Sequence, residues 1–167
     1  PTFHLGEEVV ALHPVEGGFQ VRTAPGKEFH AKTIVIAGGV GSFQPRKLHL
    51  DGADTLEEHS IHYRVQDPPL FKGKRLAILG GGDSALDWAL ALGADAAAVT
   101  LIHRRDDYRA APASVAQLKS RAASGAVEII ESASATALRL DGERLTGIEL
   151  SLKDGSRRMV DADHVLV

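Results

Sequence analysis

The six residues Gly80-Gly81-Gly82-Asp83-Ser84-Ala85 constrain this chain more than any others. They spell G-x-G-x-x-A. They follow the continuous apolar run Arg75–Leu79 and open an apolar-rich stretch, residues 84–92, that stops at Gly93. A strand that enters a helix through such a turn is the first part of a βαβ unit. Gly80 permits the tight turn, Gly82 leaves the backbone open to a pyrophosphate, and the small Ala85 lets helix and strand pack closely. Backbone N–H groups from about Gly82 to Ser84 would face the anion, helped by the positive end of the helix dipole. The competing reading is a glycine-rich connection that binds nothing.

The downstream pattern extends the unit. Residues 98–102 read as a second strand, 113–123 as a helix with Gly125 just beyond, and 127–130 as a third strand. From 135 to 167 the chain alternates as strands, with Asp141-Gly142 and Asp154-Gly155 as hairpin turns and residues 165–167 as a last buried strand. Upstream, residues 8–12, 19–23 and 32–37 read as strands joined at Gly17-Gly18 and Pro25-Gly26, a β-meander. Residues 46–63 read as loop and linker, and Asp67-Pro68-Pro69 is the clearest break. The expected architecture is α/β: a Rossmann-like βαβ domain with its own β-meander over 66–167, preceded by a β-rich segment over 1–65.

The residues after the second strand choose the ligand. NAD-binding folds commonly carry an Asp or Glu there, accepting from the ribose 2′-OH. Here the sequence is His103-Arg104-Arg105-Asp106-Asp107-Tyr108-Arg109. Two guanidinium groups suit a 2′-phosphate through forked, charge-assisted hydrogen bonds, each worth about 1.5–3 kcal/mol. The expected ligand is NADP(H), held by Arg104 and Arg105, with Arg109 close enough in sequence to join. Asp106 and Asp107 are expected to orient the arginines or to cap the following segment. A solvated basic cluster without a ligand is the alternative.

Other classes are excluded by what the chain lacks. Its net charge of -3 and 5% aromatic content offer no footprint for nucleic acid or an anionic membrane. Its apolar runs are too short to span a bilayer. Without cysteine there is no disulfide, thiolate metal site or dithiol. The eight histidines are scattered without ligand spacing, so no metal site is expected. No nucleophile or acid/base pair stands in a catalytic setting, so no catalytic side chain is assigned. Hydride transfer to a flavin needs little side-chain chemistry, because the cofactor carries it. The chain opens on Pro-Thr-Phe without a signal peptide and reads as cut from something longer.

The blocks from Gly80 to Ala89 and from His103 to Ala110 resemble the NADPH-binding domain of thioredoxin-reductase-like flavoproteins. The segment Ala37-Gly38-Gly39-Val40-Gly41-Ser42-Phe43-Gln44-Pro45-Arg46-Lys47-Leu48 resembles the point where their FAD domain hands over toward that domain. The combination is most similar to the ferredoxin/flavodoxin–NADP reductases of the pyridine nucleotide-disulfide oxidoreductase superfamily. The resemblance implies that residues 1–65 are the late part of an FAD-binding domain and 66–167 the NADP(H)-binding domain. It implies a cytoplasmic reductase, a homodimer, that holds FAD when intact and passes electrons from NADPH to ferredoxin or flavodoxin. It places the 2′-phosphate at Arg104, Arg105 and Arg109, the adenosine near His103, and the pyrophosphate at Gly80, Gly81, Gly82, Asp83, Ser84 and Ala85, with Asp83 either bonding a cofactor amide or capping the helix. Where disulfide-reducing members carry Cys-x-x-Cys, this chain has Tyr63-Arg64-Val65-Gln66-Asp67. A disulfide reductase that takes its dithiol from elsewhere and a non-enzymatic NADP(H)-binding module stand as alternatives. The fragment alone is expected not to turn over.

Overall fold

The computed structural model describes residues 2–38, 46–57 and 59–167. Most of the handover segment singled out above, residues 39–45, lies outside them. The chain forms two compact units, divided between residues 44 and 45.

The first unit is a three-stranded antiparallel meander, β1 (Val9–Val15), β2 (Gly18–Thr23) and β3 (Glu28–Ala31). Gly17, at φ +77°, makes the first turn. Gly18 is required by crowding, since a Cβ there would stand 2.4 Å from the carbonyl oxygen of Ala31. The strand expected over 32–37 does not form. The apolar run has no strand to pair with among the described residues, and a strand exists only through its partner's hydrogen bonds. Val35 and Ile36 are left 83% and 85% exposed.

The second unit is built on a parallel sheet. Its strands are β4 (Ile61–His62), β5 (Arg75–Leu79), β6 (Ala98–His103), β7 (Glu128–Glu131) and β11 (His164–Leu166), in the order β4-β11-β5-β6-β7. Helix α1 (Asp83–Leu92) joins β5 to β6, and α2 (Pro112–Ala123) joins β6 to β7. Between β7 and β11 the chain folds as an antiparallel meander of β8 (Ala133–Asp141), β9 (Arg144–Leu152) and β10 (Arg157–Asp161).

Parallel strands covered on both faces read as continuous apolar runs, and β5 and β6 show how the two sides divide. Leu76, Ile78, Val99 and Leu101 pack on Leu86, Ala89 and Leu92 of α1 and Leu118 of α2. Ala77, Ile102, Ile130 and Val165 turn the other way, onto Leu145, Ile148, Leu150 and Val160 of the meander. The result is three layers: helices, parallel sheet, antiparallel sheet. Arg75 fastens the sheet to the β10–β11 connection. Its Nη2 and Nε donate to Asp163 Oδ1 and Oδ2 at 2.7 and 3.2 Å, and its backbone N–H donates to Oδ2 at 2.9 Å. The paired guanidinium holds the Asp163 carboxyl down at about 2.

The loop-and-linker reading of 46–63 needs correction. Ala53, Leu56 and Ile61 are buried core residues, Leu48 and Leu50 pack against them, and β4 pairs in parallel with β11. The stretch lacks periodicity because it supplies its apolar side chains from turns and a short 3-10 helix, Asp54–Leu56. Tyr63 ties it together, its hydroxyl accepting from the Leu48 N–H at 3.0 Å and donating to Glu57 at 3.1 Å.

At the end of β4, His62 Nε2 and His164 Nδ1 are 3.0 Å apart, and Phe71 stands edge-on to both rings. Burial, reinforced by His164, holds His62 down at about 4, and burial also lowers His164. Both are therefore neutral in the folded chain at neutral pH, while the unfolded chain titrates near the ordinary value of about 6.5. Below that pH the unfolded state binds protons that the folded state refuses. Stability should fall as pH drops from about 6.5 to about 4 and then stop responding to this pair. Urea midpoints measured across that window should fall less steeply in His62→Gln, and an unchanged slope would remove the pair as the cause. Separately, Leu101→Ala should cost about 2–5 kcal/mol, seen as a lower urea midpoint at unchanged m-value.

Candidate nucleotide-binding site

The glycine turn lies between the C-terminal end of β5 and the first turn of α1. Gly80 has φ +155°, and a Cβ there would stand 2.8 Å from Ala85 Cβ. These two small residues let the helix start this close to the strand, as their spacing predicts. The Gly80 N–H donates to the Ile102 carbonyl at 3.0 Å, which locks the turn to β6. Gly82 is the N-cap of α1, with nothing within 4 Å of the place a Cβ would occupy. No side chain caps the helix. Its first N–H groups, which have no intrahelical acceptors, remain available to an anion.

The loop after β6 is held against this turn at several points. The His103 ring donates from Nε2 to the Asp107 carbonyl at 2.8 Å, and the Arg109 N–H donates to the Gly81 carbonyl at 2.8 Å. The Ala111 N–H donates to Asp83 Oδ1 at 2.7 Å, and the Ser132 N–H to the Arg105 carbonyl at 3.3 Å. The Tyr108 hydroxyl donates to Glu131 at 2.8 Å, and burial together with that bond raises its phenol above the usual range.

Two expectations change here. Asp83 does not cap its own helix. Gly82 already occupies the N-cap, so Asp83 sits one residue inside, and its carboxylate reaches across to the entry of α2. Asp106 and Asp107 neither pair with the arginines nor cap α2, whose N-cap is Ala111 without a side-chain bond. Asp107 contributes through its carbonyl instead. Among the described residues no carboxylate forms an ion pair with Arg104, Arg105 or Arg109, and all three are exposed. Three exposed cations on one fixed loop are an electrostatic arrangement suited to an anionic ligand.

Gly80, Gly81, Gly82, His103, Arg104, Arg105 and Arg109 line one cleft of about 390 Å³. Asp83, Ser84 and Ala85 do not face it. They line a second cleft of about 350 Å³, which shares Leu79 and Gly82 with the first and includes His62, Tyr63, Arg64 and Trp88. The first cleft also takes Leu48 and the start of β8, Ala133, Ser134 and Ala135. A neighbouring opening adds Ser132, Ser151 and Lys153 beside Arg104 and Arg105. Sequence reading missed these residues because nothing local marks them; the passage from β7 into β8 and the pairing of β8 with β9 bring Ser132, Ala133, Ser134, Ala135 and Ser151 to the arginines. The non-glycine φ of +53° at Ser132 is a further sign of a constrained backbone there. Among the described residues no group of three or more His, Cys, Asp or Glu is placed to hold a metal, and no helix is long and apolar enough to cross a membrane.

Residues 2–167 match the family described as Pyridine nucleotide-disulphide oxidoreductase. A protein of Cupriavidus pinatubonensis named Ferredoxin--NADP reductase 2 is 47% identical over 168 residues, covering 100% of this chain and 45% of its own length. Ferredoxin--NADP reductase of Methylibium petroleiphilum is 44% identical, covering 99% of this chain and 46% of its own length. Among solved structures, the crystal structure of T. acidophilum thioredoxin reductase superposes with a TM-score of 0.69 at 26% identity, covering 96% of this chain and 51% of that one. The chain thus spans about half the length of the curated relatives it matches. The layered α/β fold, the strand-to-helix glycine turn and the match along nearly the whole sequence agree, and the chain belongs to the pyridine nucleotide-disulphide oxidoreductase family.

Proposed function

We propose that this chain is the NADP(H)-binding part of a flavoprotein reductase that takes hydride from NADPH and delivers electrons to ferredoxin or flavodoxin. The observation that carries the reading is the single cleft in which the open Gly82 backbone meets Arg104, Arg105 and Arg109, none of which is ion-paired among the described residues. A dinucleotide has two halves joined by a pyrophosphate, and this site has two clefts that meet at Leu79 and Gly82. The pyrophosphate belongs at the turn and the first N–H groups of α1. The 2′-phosphorylated adenosine half belongs on the arginine side, and the nicotinamide half belongs beside Trp88, His62 and Tyr63.

When bound, NADPH supplies the hydride and FAD the exchange between two-electron and one-electron steps that a ferredoxin or flavodoxin requires. The residues of this chain bind and orient. The arginines select the 2′-phosphate, the glycine turn fixes the centre of the cofactor, and the second cleft, with Trp88 in its wall, positions the nicotinamide half. The exposed apolar side chains Val35 and Ile36 support a first unit that completes its packing against the remainder of an FAD-binding domain in the whole protein. Tyr63-Arg64-Val65-Gln66-Asp67, without cysteine, offers no dithiol at the place where the disulfide-reducing reading would put one.

Calorimetric titration of the full-length protein should show NADP⁺ binding well ahead of NAD⁺. Arg104→Ala/Arg105→Ala should lower NADP⁺ affinity by a factor on the order of 10² while changing NAD⁺ little. Equal affinity for the two nucleotides in the unmutated protein would sink the assignment. The FAD-loaded full-length protein should reduce a ferredoxin or a one-electron dye at the expense of NADPH. No reduction in a folded, flavin-loaded preparation would refute the reductase reading and leave the nucleotide site standing.

A further inference from the structure

The glycine motif asks nothing of its second position, and Gly81 is nevertheless glycine. Its surroundings supply the reason. A Cβ at Gly81 would stand 2.3 Å from His103 Cε1 and Nε2 and 2.5 Å from Nδ1, inside the ring's own volume. Gly81 is buried, and the ring of His103, a residue 9% exposed, fills the space a side chain would need. The ring also neighbours Tyr108, with centroids 5.3 Å apart and planes inclined by 30°. The imidazole is therefore packed against the glycine backbone and against a phenol that is itself anchored to Glu131.

We infer that Gly81 and His103 are positioning residues for cofactor choice: the ring seated in the slot left by Gly81 holds the Arg104–Arg109 loop in its phosphate-binding shape. The inference deepens the NADP(H) reading and rests on it. The connection is short. From inside the slot, His103 Nε2 bonds the Asp107 carbonyl, closing a turn around Arg104, Arg105 and Asp106. The backbone of Gly81 completes the loop from the other end, its carbonyl accepting from the Arg109 N–H. One dipeptide-sized contact thus registers both ends of the arginine segment against the pyrophosphate turn. A side chain at position 81 would drive the ring out, and the arginines would leave with it.

The full-length protein provides the test, with NADP⁺ and NAD⁺ affinities measured by calorimetry in the unmutated form, Gly81→Ala, His103→Ala and the double variant. The ratio of the two affinities isolates the arginine loop, because both nucleotides carry the same pyrophosphate. Gly81→Ala should reduce the NADP⁺/NAD⁺ ratio by about tenfold or more, and His103→Ala should reduce it by a similar factor. The double variant should be no worse than His103→Ala alone, since the three atoms nearest a methyl group at position 81 all belong to the ring. If Gly81→Ala does not fold, recovery of folding in the double variant supports the slot, and the ratio in His103→Ala carries the cofactor claim. An unchanged ratio in either folded single variant, or losses that add in the double variant, would overturn the inference. Loss of NADP⁺ preference in the unmutated protein would instead defeat the underlying cofactor assignment.

Discussion

The closeness of the glycine turn to what surrounds it governs the second unit. Ala85 stands where a Cβ on Gly80 would collide, and the Gly80 N–H is bonded to Ile102, so β5, α1 and β6 meet within a few atoms. This packing sets where α1 begins and leaves its first N–H groups uncapped beyond the C-terminal end of the central strand β5. It also brings the carboxylate of Asp83 within reach of Ala111 and so decides where α2 starts. A larger residue at position 80 or 85 would have to part the helix from the strand. Every element of the site would move in consequence.

The two faces of the parallel sheet play different parts around that turn. The helical face is sealed by aliphatic packing and holds α1 in register with β5. The opposite face is covered by the antiparallel meander, whose first strand starts beside the arginines. The antiparallel layer therefore forms one wall of the site as well as part of the core. Ser132, in a left-handed conformation at the junction of β7 and β8, is where a strand of one sheet passes into a strand of the other, and its N–H holds the Arg105 carbonyl.

Residues whose neighbours lie close in sequence were legible. The strand Arg75–Leu79, the turn at Gly80–Gly82 and the helix beyond it follow from apolar continuity and glycine placement, and the hairpin at Asp141-Gly142 follows from turn chemistry. Long-range partners were not. Val35 and Ile36 have strand composition, and composition cannot say whether a pairing strand is present. Residues 46–63 have no period, since their core side chains come from turns whose burial is decided by β11, some hundred residues away. Asp83 looked like a cap because it stands at a helix start; one residue of offset, set by Gly82, gave it a different acceptor role. The contact between Gly81 and His103 also spans two strands and could not be seen in either motif alone.

The position of β11 bears on how the chain reaches its fold. β11 inserts between β4 and β5, so among the described residues the segment Ile61–His62 has no sheet neighbour until His164–Leu166 has been made. During synthesis the β5-α1-β6-α2-β7 portion can assemble early from local contacts. The edge of β5 then stays open to the wrong partner for the time the ribosome takes to add the meander. The meander between β7 and β11 therefore sets a delay, and any lengthening of it would prolong the interval in which an unpaired edge invites aggregation.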